Sequence, residues 1–185
     1  MADEAPVLAL SRDDLRAVVG YAVACADPAP ALFEAGSPGD RRARDAVEVA
    51  RVFAEGGERT KALRDHAWAA HRAAREARDA GLTAASAAAR AAADTCGAAF
   101  LHPLAKATQV RHILGSAAHT ARALELAADD DPDAATGHLT KARHLADATV
   151  VEILKRYPAA PPGGGRVGAL MRDLDASLRN APTNP

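Results

Sequence analysis

Residues 83–101 read TAASAAARAAADTCGAAFL. Alanine enters a helix at lower cost than any other residue, because it has no side-chain rotamers to lose. Gly81 stops the preceding helix, and Thr83 is suited to cap the next one. The stretch predicts a helix from Thr83 to about Leu101 that presents mostly methyl groups. Helices with such small side chains let neighbouring axes approach closely, at the short end of the usual spacing of about 8–10 Å. This helix and the alanine-lined one before it, from about Thr60 to Ala80, are therefore expected at the crowded centre of an all-α fold.

Outward from that centre, each segment reads as another helix. Helix one runs from Arg12 to Ala26, with Ser11 and Asp14 at capping-box spacing. Its apolar stripe is Leu15, Val18, Val19, Ala22 and Val23. Pro28 and Pro30 interrupt the pattern, and a short turn of helix comes next at Ala31 to Ala35. Ser37-Pro38 reads as the start of a helix reaching Glu55, with Gly56-Gly57 as its stop. Beyond the break at Pro103, a helix from Leu104 to Ala128 carries Val110, Ile113, Leu114, Ala117, Ala121 and Leu124 on one side. Asp129 to Asp133 reads as a turn and helix start, leading into one helix from Pro132 to Arg156. Its inward set is Leu139, Ala142, Ala146, Thr149, Ile153 and Tyr157.

These segments predict an antiparallel bundle of six to seven helices in a single domain, residues 1–185. The core spans about 11–157, a Pro/Gly linker 158–166 and a last helix 167–179, with a disordered tail at 180–185. Alanine fills roughly a quarter of the chain, far above ordinary usage, while aromatics make up 3%. Strands are accordingly unsupported. A formal net charge of −1 gives no field that would favour nucleic acid. Arg, Asp and His break the alanine runs before membrane-spanning length. The opening MADEAPVLAL lacks the basic and apolar regions of a secretory signal, and Cys25 and Cys96 lack CxxC spacing. The expectation is a cytoplasmic chain with two free buried thiols and no cofactor.

The candidate site residues are polar groups near the bend at Pro103. His102, Gln109, His112 and His119 cluster there, and His71 or Asp94 could join from neighbouring helices. Neutral imidazole both donates and accepts, so this set is the candidate ligand pocket, with His112 and His119 as candidate catalytic groups. No histidine pair has the spacing of three or four residues that suits a shared metal, and none is assigned. His112 and His119 share a face but sit about 10.5 Å apart along the axis. Arg41, Arg42 and Arg44 stand near the positive end of a helix, an unfavourable place for cations, which marks them as candidate partner contacts. Asp129 and Asp130 are the acidic counterpart. Neither a phosphate-cradling GxxxxGKS/T, a GxGxxG on a strand nor a GxSxG elbow occurs in the chain.

Three longer runs are more specific than composition. They are FLHPLAKATQVRHILGSAAH at 100–119, GDRRARDAVE at 39–48 and VVEILKRYP at 150–158. Together they resemble a bacterial family of immunity proteins of the polymorphic-toxin type. The likeness extends from about Leu15 to Leu178 and includes Cys25-Ala26-Asp27 and Leu32-Phe33-Glu34. Pro28 and Pro30 depart from the family pattern between those two segments. The resemblance implies a helical, non-enzymatic protein that binds and blocks a toxin domain, and it brings no catalytic residues. Two other readings stay open: a small helical enzyme or ligand-binding protein of specialised metabolism, and a homo-oligomeric scaffold whose last helix packs on a neighbouring copy.

Overall fold

The computed structural model describes residues 6–180. They form helices without strands; the one β-type contact is an isolated bridge between Val7 and Leu104. The helices are α1 (Arg12–Cys25), α2 (Ala29–Gly36), α3 (Arg42–Ala54), α4 (Lys61–Asp79), α5 (Thr83–Ala98), α6 (Val110–Ala127), α7 (Pro132–Leu145), α8 (Ala148–Lys155) and α9 (Gly165–Arg179). A short 3-10 turn, Ala107–Gln109, precedes α6. The all-α class stands, and the expected count of six to seven helices gives way to nine among the described residues. None of them is long and apolar enough to cross a membrane. The expected disordered tail falls outside the described residues from 181 onward.

The count rises because the short turn after Pro28 is a full helix, α2, and because the segment 132–156 divides into α7 and α8. Ser37 closes α2, its N–H bonding the Phe33 carbonyl, and Gly39 turns the chain at φ +82°. The next helix therefore begins at Arg42, where the Asp40 carboxylate accepts the Arg42 N–H at 3.0 Å. The single helix expected from Pro132 to Arg156 breaks at Ala146 and Asp147, both extended. Asp147 caps α8 by accepting from the Val150 N–H at 2.9 Å. That break shifts the phase, so Val150 is buried and Thr149 exposed. Leu104 does not start a helix, because the backbone of residues 6–8 pairs with residues 103–105: Leu8 N–H donates to Pro103 O at 2.6 Å, and Ala105 N–H to Pro6 O at 3.1 Å.

The helix α5 occupies the centre and touches α1, α2, α3, α4 and α6. Alanines on every side of it, Ala85, Ala88, Ala89, Ala91, Ala92 and Ala93, are buried. Its partner α4 lies outside, contrary to expectation, because its far side carries Arg64, Trp68, Arg72 and Arg75, all exposed. The second interior helix is α6, with Val110, Ile113, Leu114, Ala117 and Ala121 fully buried. Its hydroxyls are satisfied internally: Ser116 Oγ donates to Ala22 O at 2.9 Å, and Thr120 Oγ1 to Ser116 O at 2.9 Å. Unpaired, such buried hydroxyls would each cost about 1–3 kcal/mol.

The last helix belongs to the same core. Leu170, Met171, Leu174 and Leu178 of α9 are buried against α6, α7 and α8. The Pro/Gly stretch before it is tied down by the buried Asp175 carboxylate, which accepts from Ala160 N–H at 2.8 Å and Arg179 Nε at 2.7 Å. Arg166 clasps the buried Glu125 of α6 through Nε at 2.9 Å. The apolar stripe that the scaffold reading assigned to a neighbouring copy is thus covered within the chain.

Candidate functional site

The helix α6 sets three residues four apart on one face: Arg111, Gly115 and His119. Opposite them, α5 presents Asp94, whose side chain is only 8% exposed. His119 Nδ1 lies 2.8 Å from Asp94 Oδ2 and 3.1 Å from Gly115 O. Both are acceptors, so Nδ1 carries the proton and Nε2 is the nitrogen left over. Gly115 makes the approach possible: a Cβ there would stand 2.8 Å from Asp94 Oδ2. Arg111 supplies a longer contact, its guanidinium 3.7 Å from Asp94 Oδ1. Burial pushes the Asp94 pKa up, but His119, Arg111 and His71 together outweigh it and hold the carboxyl below its usual range.

His71 reaches the same carboxylate's field from α4. Burial, reinforced by Arg90, Arg111 and His119, lowers its pKa despite Asp94 pulling the other way. Its Nδ1 is buried without a hydrogen-bond partner, and Trp68 stands edge-on to its ring at 6.1 Å.

Above this floor lie two adjoining hollows that share Arg75 and Arg90 as walls. One, about 370 Å³, is lined by Arg78, Ser86 and His119 as well. The other, about 450 Å³, is lined by Trp68, His71 and Arg111. Neither Arg75 nor Arg90 forms an ion pair within 4.0 Å among the described residues, although Arg90 is partly buried. The cleft therefore gathers cations that the protein does not neutralise, next to an imidazole oriented by a carboxylate. Such an arrangement suits an anion.

The residues singled out from sequence are not all brought together here. His71 and His119 share the cleft around Asp94. His112 turns to the end of α5, its Nδ1 2.8 Å from Gly97 O, and burial lowers its pKa. His102 is exposed; its N–H donates to Gln109 Oε1 at 2.8 Å, and its carbonyl accepts from the Tyr157 hydroxyl at 2.8 Å. Gln109 thus fastens the bend. The guanidiniums near α3 meet carboxylates of the chain itself: Arg44 with Glu34 at 2.7 Å, Arg42 with Asp40 at 2.6 Å and with Glu76, and Arg41 with Asp45 at 3.5 Å. Asp130 pairs with Arg122 at 2.9 Å. Asp129 and Asp130 take left-handed backbone, φ 55° and 63°, in the turn before α7.

Sequence reasoning passed over Arg75, Arg90, Gly115 and Trp68. The spacing of Arg111, Gly115 and His119 could have been noticed, since a glycine between two polar residues on one helical face marks a close approach. It also passed over a second buried polar group, Tyr21, Cys25 and His138, between α1 and α7. The Tyr21 hydroxyl and His138 Nε2 have no hydrogen-bond partner there. Burial pushes the Cys25 thiol up to about 12, so it stays protonated and unreactive. Among the described residues, no three metal-ligating side chains converge.

A family model described as "Imm-5 like putative immunity protein" matches residues 8–148. The chain belongs to this family. The match takes in α1 through α7 and hence the whole Asp94–His119 cleft, while α9 lies beyond it. Neither a curated protein nor a solved structure matches the chain. For this immunity-family chain, the role of the cleft rests on its own geometry.

Proposed function

We propose that the chain is a non-enzymatic immunity factor that binds a toxin domain, and that it docks its partner on the outer face of α4. The observation that carries this is Trp68, 60% exposed between Arg64 and Arg72 one turn to either side. Exposed tryptophan flanked by arginine is the chemistry that dominates interface energies. Arg72 has no carboxylate partner among the described residues, and Arg64 lies over the Phe100 ring at 5.0 Å. This face fits a partner with carboxylates around an apolar spot. It is a better candidate than Arg41, Arg42 and Arg44, whose charges meet acidic groups of the chain itself.

The test mixes the purified protein with the toxins encoded beside its gene and measures binding by calorimetry. Trp68→Ala and Arg72→Glu are each expected to weaken the complex by about 2 kcal/mol or more. If the complex forms and neither change weakens it, the docking face is elsewhere. If no neighbouring toxin binds, the immunity reading itself falls. The ligand-binding alternative finds support in the Asp94–His119 pair rather than in the bend at Pro103.

A further inference from the structure

We infer that the cleft walled by Arg75 and Arg90 binds a small phosphate monoester, a ligand distinct from a protein docked on α4 although the cleft shares Trp68 with that face. Cationic walls from different helices converge on one hollow: Arg75 and Arg78 from α4, Arg90 from α5, and Arg111 from α6 in the adjoining part. Arg78 has Asp79 beside it at 2.9 Å, and Arg111 has Asp94 at 3.7 Å. Arg75 and Arg90 have no carboxylate within ion-pair distance among the described residues. Arginines that line one hollow without carboxylate partners repel each other unless an anion joins them.

The anion best suited is a dianion with several acceptor oxygens. A carboxylate satisfies one guanidinium fork, whereas a phosphate can accept from forks approaching on several sides. Asp94, buried behind His119 and lining neither hollow, does not oppose this. It is engaged on one side by His119 Nδ1 and faces Arg111 on the other, so its charge is countered. The same contact leaves His119 Nε2 as the ring nitrogen able to donate to a phosphate oxygen when the imidazole is protonated. The two hollows, about 370 and about 450 Å³, are within the range of small-ligand sites. With the phosphate between Arg75 and Arg90, the organic portion of the monoester would extend into the adjoining hollow beside His71 and Trp68.

The test is calorimetric titration of the isolated full chain with ribose 5-phosphate, with ribose as the uncharged control. Ribose 5-phosphate is expected to bind and ribose not to. Arg75→Gln and Arg90→Gln should each weaken the phosphate compound about tenfold or more, as expected for loss of a charge-assisted bond. Arg90→Lys, which keeps the charge, should recover part of that loss, and Arg75, being exposed, can be replaced without disturbing the core. Equal binding of the two compounds, or unchanged affinity in both glutamine variants, overturns the inference. Binding of a single-stranded oligonucleotide but not of ribose 5-phosphate also overturns it. The assay contains no partner protein, so its failure leaves the docking face on α4 standing.

Discussion

His119 Nδ1 and Asp94 Oδ2 lie 2.8 Å apart, joining helices through residues separated by 25 positions in the chain. The pair sits almost fully out of water, with side chains 13% and 8% exposed. Its members hold each other in place. A carboxylate in this position needs the imidazole proton and the nearby guanidinium, and the imidazole needs the carboxylate to settle its tautomer.

Removing Asp94 should therefore be costly. Asp94→Ala strips the carboxylate from His119 and Arg111 and opens a void, and is expected to destabilise the fold by about 3 kcal/mol. Asp94→Asn keeps an acceptor in the same place and should cost clearly less. Urea unfolding of the two variants measures both values; equal losses would mean that the charge alone, and not the retained acceptor and volume, supplies the stabilisation.

Two glycines on helices should respond to alanine with opposite signs. At Gly115 the new Cβ would meet Asp94 Oδ2 at 2.8 Å and Asp94 Cγ at 3.3 Å. Gly115→Ala should destabilise by about 1–3 kcal/mol, despite the better helix propensity of alanine. At Gly137 of α7 nothing lies within 4 Å, so Gly137→Ala should stabilise by up to about 1 kcal/mol. Thermal melts of both proteins report the two signs directly.

Acid should weaken the fold through buried histidines. Burial and the nearby Lys141 lower the His138 pKa from an ordinary 6.5 to about 4, with only the Cys25 backbone pulling the other way. Between those values the unfolded chain takes up a proton that the native chain refuses. Stability must then fall as pH drops from 6.5 toward 4, by up to about 3 kcal/mol from this residue. His71 and His112, also lowered, act in the same direction. In His138→Leu the urea midpoint should vary less between about pH 7 and about pH 5 than in the unaltered protein. An identical slope in the variant would remove His138 as the source.

The helix α9 should prove integral to the fold. Leu174 is 1% exposed within it, and Leu174→Ala is expected to cost about 2–4 kcal/mol. Because the helix packs on its own chain, the variant's mass by light scattering should match that of the unaltered protein. A stability change below about 0.5 kcal/mol would indicate that α9 contributes little to the core.

Much of the architecture was legible along the chain because its causes are local. Ser11 and Asp14 form the capping box that their spacing implies, with bonds of 3.1 and 3.0 Å. The α1 stripe at Val18, Val19, Ala22 and Val23 is buried as its period requires. The break at Asp147 was legible too, and was missed because alanines on both sides kept the helical period plausible. Thr83, read as a cap, is instead the first residue of α5, and Leu82 stands at the N-cap. The histidines were legible as residues but not as a site, because their neighbours come from α4, α5 and α6 at once.

By itself the sequence determined that this chain would be helical, where most of its helices would lie, and which of their edges would avoid water. Those outcomes depend on hydrogen bonds and side-chain periods within a turn or two, which any short window of residues contains. Only the tertiary structure decided that α4 would be peripheral, that the Pro103 carbonyl at the bend would bond to residue 8, and that Asp94 would face His119. Those depend on how rods with small side chains settle against one another, where the absence of one Cβ at Gly115 determines which charged groups can meet.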